Sequence, residues 1–335
     1  MANDGMMAIP GKVLDWLLEA ENPSMRYRSL TELLDVPKDD PEVKKARNAI
    51  LESKPVMKIF DKMHPDGYWL HRGIGAGVAY AMSGSTHFVL AYLAELGLDR
   101  EDERIARAVD RYLSLKEPDR PDPNIWEIPP DYRSHQSCLY AYNLRTFILL
   151  GYRDDPRVQE RVDVLLNDWR FDGGYLCDRP SFLDRKTKSC IRGSQKALMA
   201  FAELPEYWRD ERCKALVDYF LRRQVIFKSK QPGELIRGEV VATVFPFVIN
   251  ASLLEPLYAL SKMGYGMRPS LAPAWQHLEA KRDVEGRYLL DHSRLTIFNA
   301  GPNGKPNKWV TLYAYLALSA AHNEVREMNL SDKGV

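Results

Sequence analysis

The sequence predicts an all-α chain whose paired helices close on themselves as an α/α toroid, and three observations carry that expectation. A short turn motif recurs, in His64-Pro-Asp66-Gly67-Tyr-Trp69-Leu70, in Phe171-Asp172-Gly173-Gly-Tyr175-Leu176 and in Val284-Glu285-Gly286-Arg-Tyr288-Leu289. Superposed, the copies read acid, glycine, one variable residue, an aromatic and a leucine. Their spacing is regular, with 106 residues from Trp69 to Tyr175 and 113 from Tyr175 to Tyr288. That is about twice the 54 residues separating the helix-stop glycines Gly97 and Gly151. Finally, apolar helical stretches alternate with more polar ones, as an inner and an outer layer require.

Three short helices lead in. Pro10–Glu21 is amphipathic through Val13, Leu14, Leu17 and Leu18; Ser24 is placed to cap Met25–Leu34, and Pro41 starts a third helix to about Ser53. Hairpins follow. Ser85–Leu96 stops at Gly97 and Asp102–Leu115 returns; Ser134–Leu150 stops at Gly151 and Pro156–Trp169 returns. Ser189–Leu204 returns through Glu211–Arg223, and Asn250–Met263 through Ser270–Arg282. Lys308–His322 is the last apolar helix, its partner missing or supplied by the N-terminal helices. Phe227 to Thr243 is the least regular stretch. The expected organisation is one domain: lead-in helices at 1–58, hairpin repeats at 59–325, about five to six in number, and a flexible tail at 326–335.

Composition narrows the function. With 47 basic and 46 acidic residues well mixed along 335, the chain has no basic excess to favour nucleic acid or an anionic membrane. No run approaches the roughly 18 apolar residues of a membrane span. Met1 to Pro10 does not read as a signal peptide. Four cysteines do not make a disulfide framework, so a reduced, cytoplasmic protein is expected.

The Asp-Gly-x-aromatic turns resemble the QW-type repeats of the terpenoid cyclase and protein prenyltransferase superfamily, over roughly residues 60 to 320, and uncharacterised bacterial squalene-cyclase-like proteins most of all. The resemblance implies an α/α toroid with a central cavity for an apolar, isoprenoid-like molecule. The activity motifs of that group are missing. No Asp-x-Asp-Asp tetrad occurs, and Asp154-Asp155 reads as a turn with a helix N-cap. No Asp-Asp-x-x-Asp helix is present. Lys188 stands where a prenyltransferase zinc site would place an acid before Cys190.

Residues able to do chemistry gather at loop ends. Cys177 follows the second turn, while Cys138 and Cys190 begin apolar helices, with His135 three residues before Cys138 on the same helical face. Thiolates with one imidazole suit zinc, so Cys138, Cys177, Cys190 and His135 form a candidate metal set. The alternatives are small core residues, or a thiol-assisted site in which Arg179 or Arg192 lowers the pKa of Cys177. Cys213 is expected to be inert packing. Asp178 and Asp291 follow their turns, with His292 beside the latter, and are candidates for acid and base. Trp69, His71, His87, Trp126, Tyr142, Tyr175, Arg179, Tyr288, Trp309 and Tyr313 are candidates to line the cavity, with inter-repeat packing as the alternative. The leading expectation is therefore a cyclase-, lyase- or isomerase-type enzyme on an apolar small molecule. A lipid- or peptide-binding protein with structural zinc and a carbohydrate-active α/α barrel remain open.

Overall fold

A computed structural model describes residues 9–69, 84–114, 137–176, 187–247, 250–293 and 300–331. Helices dominate. The lead-in comprises α1 (Gly11–Leu17), α2 (Pro23–Arg28, continuing through a π-helical turn at Ser29–Leu33), α3 (Pro41–Leu51) and α4 (Lys54–Phe60). Then come α5 (Thr86–Glu95), α6 (Glu103–Ser114), α7 (Ser137–Leu149), α8 (Pro156–Asn167), α9 (Ile191–Ala202), α10 (Glu211–Leu221), α11 (Leu254–Lys262), α12 (Ala272–Glu279) and α13 (Lys308–Ser331). Three short 3-10 turns (Pro205–Tyr207, Gly238–Val241 and Pro269–Leu271) and two small antiparallel ribbons join them: β1 (Phe227–Lys228) with β2 (Gln231–Leu235), and β3 (Leu289–Leu290) with β4 (Lys305–Pro306). No helix among the described residues is long and apolar enough to cross a membrane.

The alternation is real and has a packing cause. Every residue of α5 is buried, and α9 is buried at all positions but Arg192. In α6 only Ile105, Ala108, Val109 and Tyr112 are buried, one stripe at helical spacing. Two compact units form. In Lys45–Glu203, α7 packs against α5, α8 and α9. In the unit drawn from Met1–Lys44, Leu204–Arg294 and Ala300–Val335, α11 packs against α12 and α13. There α13 also lies against α1, α2 and the π turn, so the N-terminal helices supply the last apolar helix with its partner.

The three turn copies share one hydrogen-bond pattern. The N–H groups of His64, Arg170 and Asp283 donate to the carbonyls of Tyr68, Gly174 and Arg287, each at 2.8 Å. Gly67, Gly173 and Gly286 donate back to the carbonyls of His64, Arg170 and Asp283, at φ of 87, 87 and 90°. Only glycine adopts that left-handed backbone without cost, which is why it recurs. The aromatic residue then docks. The N–H of Trp69 donates to Thr86 Oγ1 (2.9 Å), that of Tyr175 to Ser194 Oγ (3.0 Å) and that of Tyr288 to Thr311 Oγ1 (2.9 Å). Each hydroxyl lies on the next apolar helix, so the motif fastens a turn to the helix it introduces.

The outer helices share a cap. Asp102, Asp155 and Asp210 accept from the N–H of Arg104, Arg157 and Arg212 at 2.8 to 2.9 Å and pair with those side chains through both carboxylate oxygens. Asp155 is thus the N-cap that its sequence context suggested.

Some boundaries differ from expectation. Asn22, not Ser24, caps α2, because its side chain accepts from the N–H of Met25 at 3.2 Å. Helix α4 and the ribbons are additions. The final helix runs to Ser331, into the stretch expected to be a tail.

Candidate functional site

Arg145 donates to Glu95 Oε1 at 2.6 Å, and its Nε lies 3.5 Å from Glu203 Oε1. All three side chains are almost wholly buried. Glu95 ends α5, Glu203 is the C-cap of α9, and Arg145 lies in the last turns of α7. The three helices therefore run parallel with their C-terminal ends together. Those ends carry negative partial charge and two carboxylates, and the Arg145 guanidinium lies against both.

Seven residues back, two turns and about 10.5 Å, brings each helix round to the same face. The residues there are Phe88, Cys138 and Lys196. The Phe88 ring is 6.0 Å from that of Tyr142, and His87 sits beside Phe88 at 4.1 Å between ring centroids. Lys196 is 1% exposed and its neighbour Gln195 is fully buried. Lysine is almost never buried so deeply without a reason. Lys196 and Cys138 thus lie two turns from the charged floor toward the N-terminal ends of α9 and α7, and Phe88 on α5 links His87 to Tyr142. The positive dipole ends of α5, α7 and α9 lie at that same end.

Chain connectivity singles out the same end. Within Lys45–Glu203 the connections into α7 and α9 are long, spanning 115–136 and 168–190. The connections out of α5 and α7 are short, at 96–102 and 150–155. Long connections on a rigid scaffold are where binding groups are usually carried.

Apart from Asp291 and His292, the residues singled out from the sequence fall into four groups. His87, Tyr142 and Cys138 belong to the layer just described, and Cys190 is the N-cap of α9, its N–H donating to the Tyr175 carbonyl at 2.8 Å. Trp69, Tyr175 and Tyr288 are buried anchors of the three turns. Trp69 also donates its indole N–H to the Ile59 carbonyl at 2.8 Å, Tyr175 packs on Phe201, and the Tyr288 hydroxyl reaches Glu279 at 3.4 Å. Trp309 and Tyr313 belong to an aromatic cluster in the other unit. Trp309 stacks on Phe245 at 4.4 Å and 6°, and Tyr313 meets Phe247 and Tyr258 edge-on under the Arg28 guanidinium. His71, Trp126, His135, Cys177, Asp178 and Arg179 lie outside the described residues.

Asp291 is held in a network of hydrogen bonds and an ion pair. Its carboxylate accepts from the Thr243 N–H at 2.7 Å and hydroxyl at 3.0 Å, and it pairs with Lys281. Partial burial opposes its ionisation, but the Lys281 and Thr243 donors outweigh burial and hold the pKa below the usual range. A proton donor at neutral pH needs the opposite shift, so this carboxylate ties strand-side loops together. His292 adjoins it in a backbone bridge with Val244. For the metal set, Cys138 and Cys190 stand on adjoining helices, and no group of three or more His, Cys, Asp or Glu gathers among the described residues.

Lys196, Gln195 and the Glu95–Arg145–Glu203 triad escaped the sequence reading. The signal for Lys196 was available: a lysine directly before the apolar run Ala197–Ala202.

No family model matches the chain, and no curated protein matches it. Among solved structures it is similar to a polysaccharide lyase, at 13% identity over 95% of this chain and 98% of that one, with a TM-score of 0.50. It is also similar to a glycosyl hydrolase of family 88 from Bacteroides vulgatus, at 14% identity over 91% of each chain and the same TM-score. The fold is an α/α toroid. The expected kinship with terpenoid cyclases and prenyltransferases, and with it activity on an isoprenoid, is corrected, since both neighbours are carbohydrate-active enzymes. The reason lies in the motif. Its glycine answers a left-handed turn and its aromatic residue docks that turn on a hydroxyl, so it reports how the chain reaches a buried helix rather than what the protein binds.

Proposed function

We propose that the protein is a carbohydrate-active enzyme that cleaves an anionic glycan, by elimination. The observation that carries the reading is the likeness to a polysaccharide lyase and a glycosyl hydrolase over more than nine-tenths of both chains in each comparison. Likeness of fold alone is an analogy, since one fold hosts many activities. The chemistry of the inner helices supports it independently. An isoprenoid site calls for apolar and aromatic walls, whereas α5, α7 and α9 bury His87, Gln195 and Lys196 among their apolar residues.

In such an elimination, Lys196 would face the sugar carboxylate and make the neighbouring carbon more acidic. Tyr142 or His87 would take the proton from that carbon. The C–O bond to the next sugar then breaks, leaving a carbon–carbon double bond on one fragment and a hydroxyl on the other, with no water consumed. The reading includes one functional domain in a reducing, cytoplasmic compartment. Zinc at Cys138, Cys177, Cys190 and His135 is a separate proposal, which elemental analysis of the purified protein tests.

The test is incubation with polygalacturonate, alginate, hyaluronan and xylan while ultraviolet absorbance and reducing ends are followed. Elimination from an acidic polymer raises both signals together. Reducing ends without absorbance would make the protein a hydrolase, and neither signal from any of these polymers would sink the proposal.

A further inference from the structure

The three copies of the turn serve as controls for one another. The residue after the first turn position is Pro65 in the first copy, Phe171 in the second and Val284 in the third. The residue before that position is Met63, Trp169 and Arg282. All three turns make the same backbone hydrogen bonds, so the turn itself requires no aromatic at either place. Yet the second copy holds Trp169 at 39% and Phe171 at 61% exposure. Two large aromatic rings left in water on one short turn contribute little to folding, and scattered exposed residues do not ordinarily include such a pair.

The turn beneath them is rigid. Between the two rings Arg170 is 1% exposed and donates from Nε to the Thr187 carbonyl at 3.3 Å. Asp172 accepts from the Ser189 N–H at 3.3 Å and from the Ser189 hydroxyl. Two residues beyond Gly173, Tyr175 is bonded to Ser194 on α9, the helix that carries Lys196. The indole N–H of Trp169 makes no hydrogen bond among the described residues.

We infer that Trp169 and Phe171 form a platform for a glycan chain, a second binding site that holds the polymer while the inner helices act on it. Sugar rings present flat C–H faces edged with hydroxyls. A pair of aromatic faces with a free N–H donor, beside the exposed Asn167, matches that chemistry better than an aliphatic partner surface. A fixed turn binds with little loss of conformational entropy. The inference rests on the glycan-cleaving reading above.

The experiment is native electrophoresis through gels containing polygalacturonate, hyaluronan, alginate or xylan. Wild type is compared with Trp169→Arg/Phe171→Val, which installs the residues of the third turn copy and so keeps the fold. Activity on soluble oligosaccharides and mass by light scattering are measured in parallel. The expected result is retardation of wild type by at least one polymer, at least tenfold weaker for the variant, with oligosaccharide turnover unchanged. Retardation of neither protein, or equal retardation of both, would overturn the platform. So would a wild-type dimer that the variant converts to monomer without any glycan effect. Turnover with no aromatic-dependent retardation removes the platform alone; aromatic-dependent retardation without turnover of any glycan removes the enzymatic reading alone.

Discussion

The main-chain N–H of Tyr175 donates to Ser194 Oγ at 3.0 Å, and the same Oγ lies 2.9 Å from the Cys190 carbonyl. One hydroxyl thus joins the second turn to the first turn of α9. Thr86 and Thr311 do the equivalent for Trp69 and Tyr288. Ser194→Ala leaves a buried N–H without its acceptor and should cost about 1–3 kcal/mol in urea unfolding. Thr311→Ser, which keeps the hydroxyl, should cost less than Thr311→Ala.

Arg145 is the sole cation in its triad with Glu95 and Glu203. Arg145→Met would leave two buried carboxylates uncompensated, and a loss of about 3–5 kcal/mol is expected. Adding Glu95→Gln and Glu203→Gln should restore much of it. If the triple variant is no more stable than Arg145→Met, the triad is not the source of the loss.

Lys196 separates a binding role from a structural one. Removing one partner of a buried charged interaction costs stability, so Lys196→Met should lower Tm. Measured well below that Tm, its glycan turnover should fall about 100-fold. A lowered Tm with turnover intact would assign Lys196 to the core instead.

Arg212 holds the Asp210 carboxyl down to about 2 from 3.8, chiefly through their side-chain hydrogen bond. A depressed folded pKa contributes stability above the unfolded value, and that contribution is lost as pH falls through about 2. Asp210→Asn should be less stable than wild type above roughly pH 4.5. The gap should close as pH falls toward 2; a gap independent of pH would rule out the ion pair as its cause.

Burial pushes the Cys213 thiol up to about 12, with the Asp210 charge adding to the effect. The thiolate is the reactive form, so Cys213 should stay unlabelled by a thiol reagent at neutral pH until the protein unfolds. Peptide mapping by mass spectrometry after labelling in native buffer and in urea reads this directly.

Sequence reasoning found the helix alternation, the three turns and the Asp155 cap because each is a local signal. Glycine at φ near 87°, aspartate two residues before its arginine and leucines at helical spacing are fixed within a few residues of chain. The same reasoning misread what the turns meant. Their pattern resembles one family, while the geometry they build serves any chain that must dock a loop on a buried helix.

The sequence by itself therefore determined the helical repeat, its stops and the Asp155 cap, since propensity, turn chemistry and hydrophobic period act over short range. Tertiary structure decided the rest. Glu95, Arg145 and Glu203 are separated by 50 and 58 residues and meet only because α5, α7 and α9 pack in parallel. The depth of Lys196, the anchoring of Trp69 and Tyr288, and the ionised state of Asp291 follow from such long-range contacts. Burial and charge pairing are properties of the packed chain, and no spacing along the sequence encodes them.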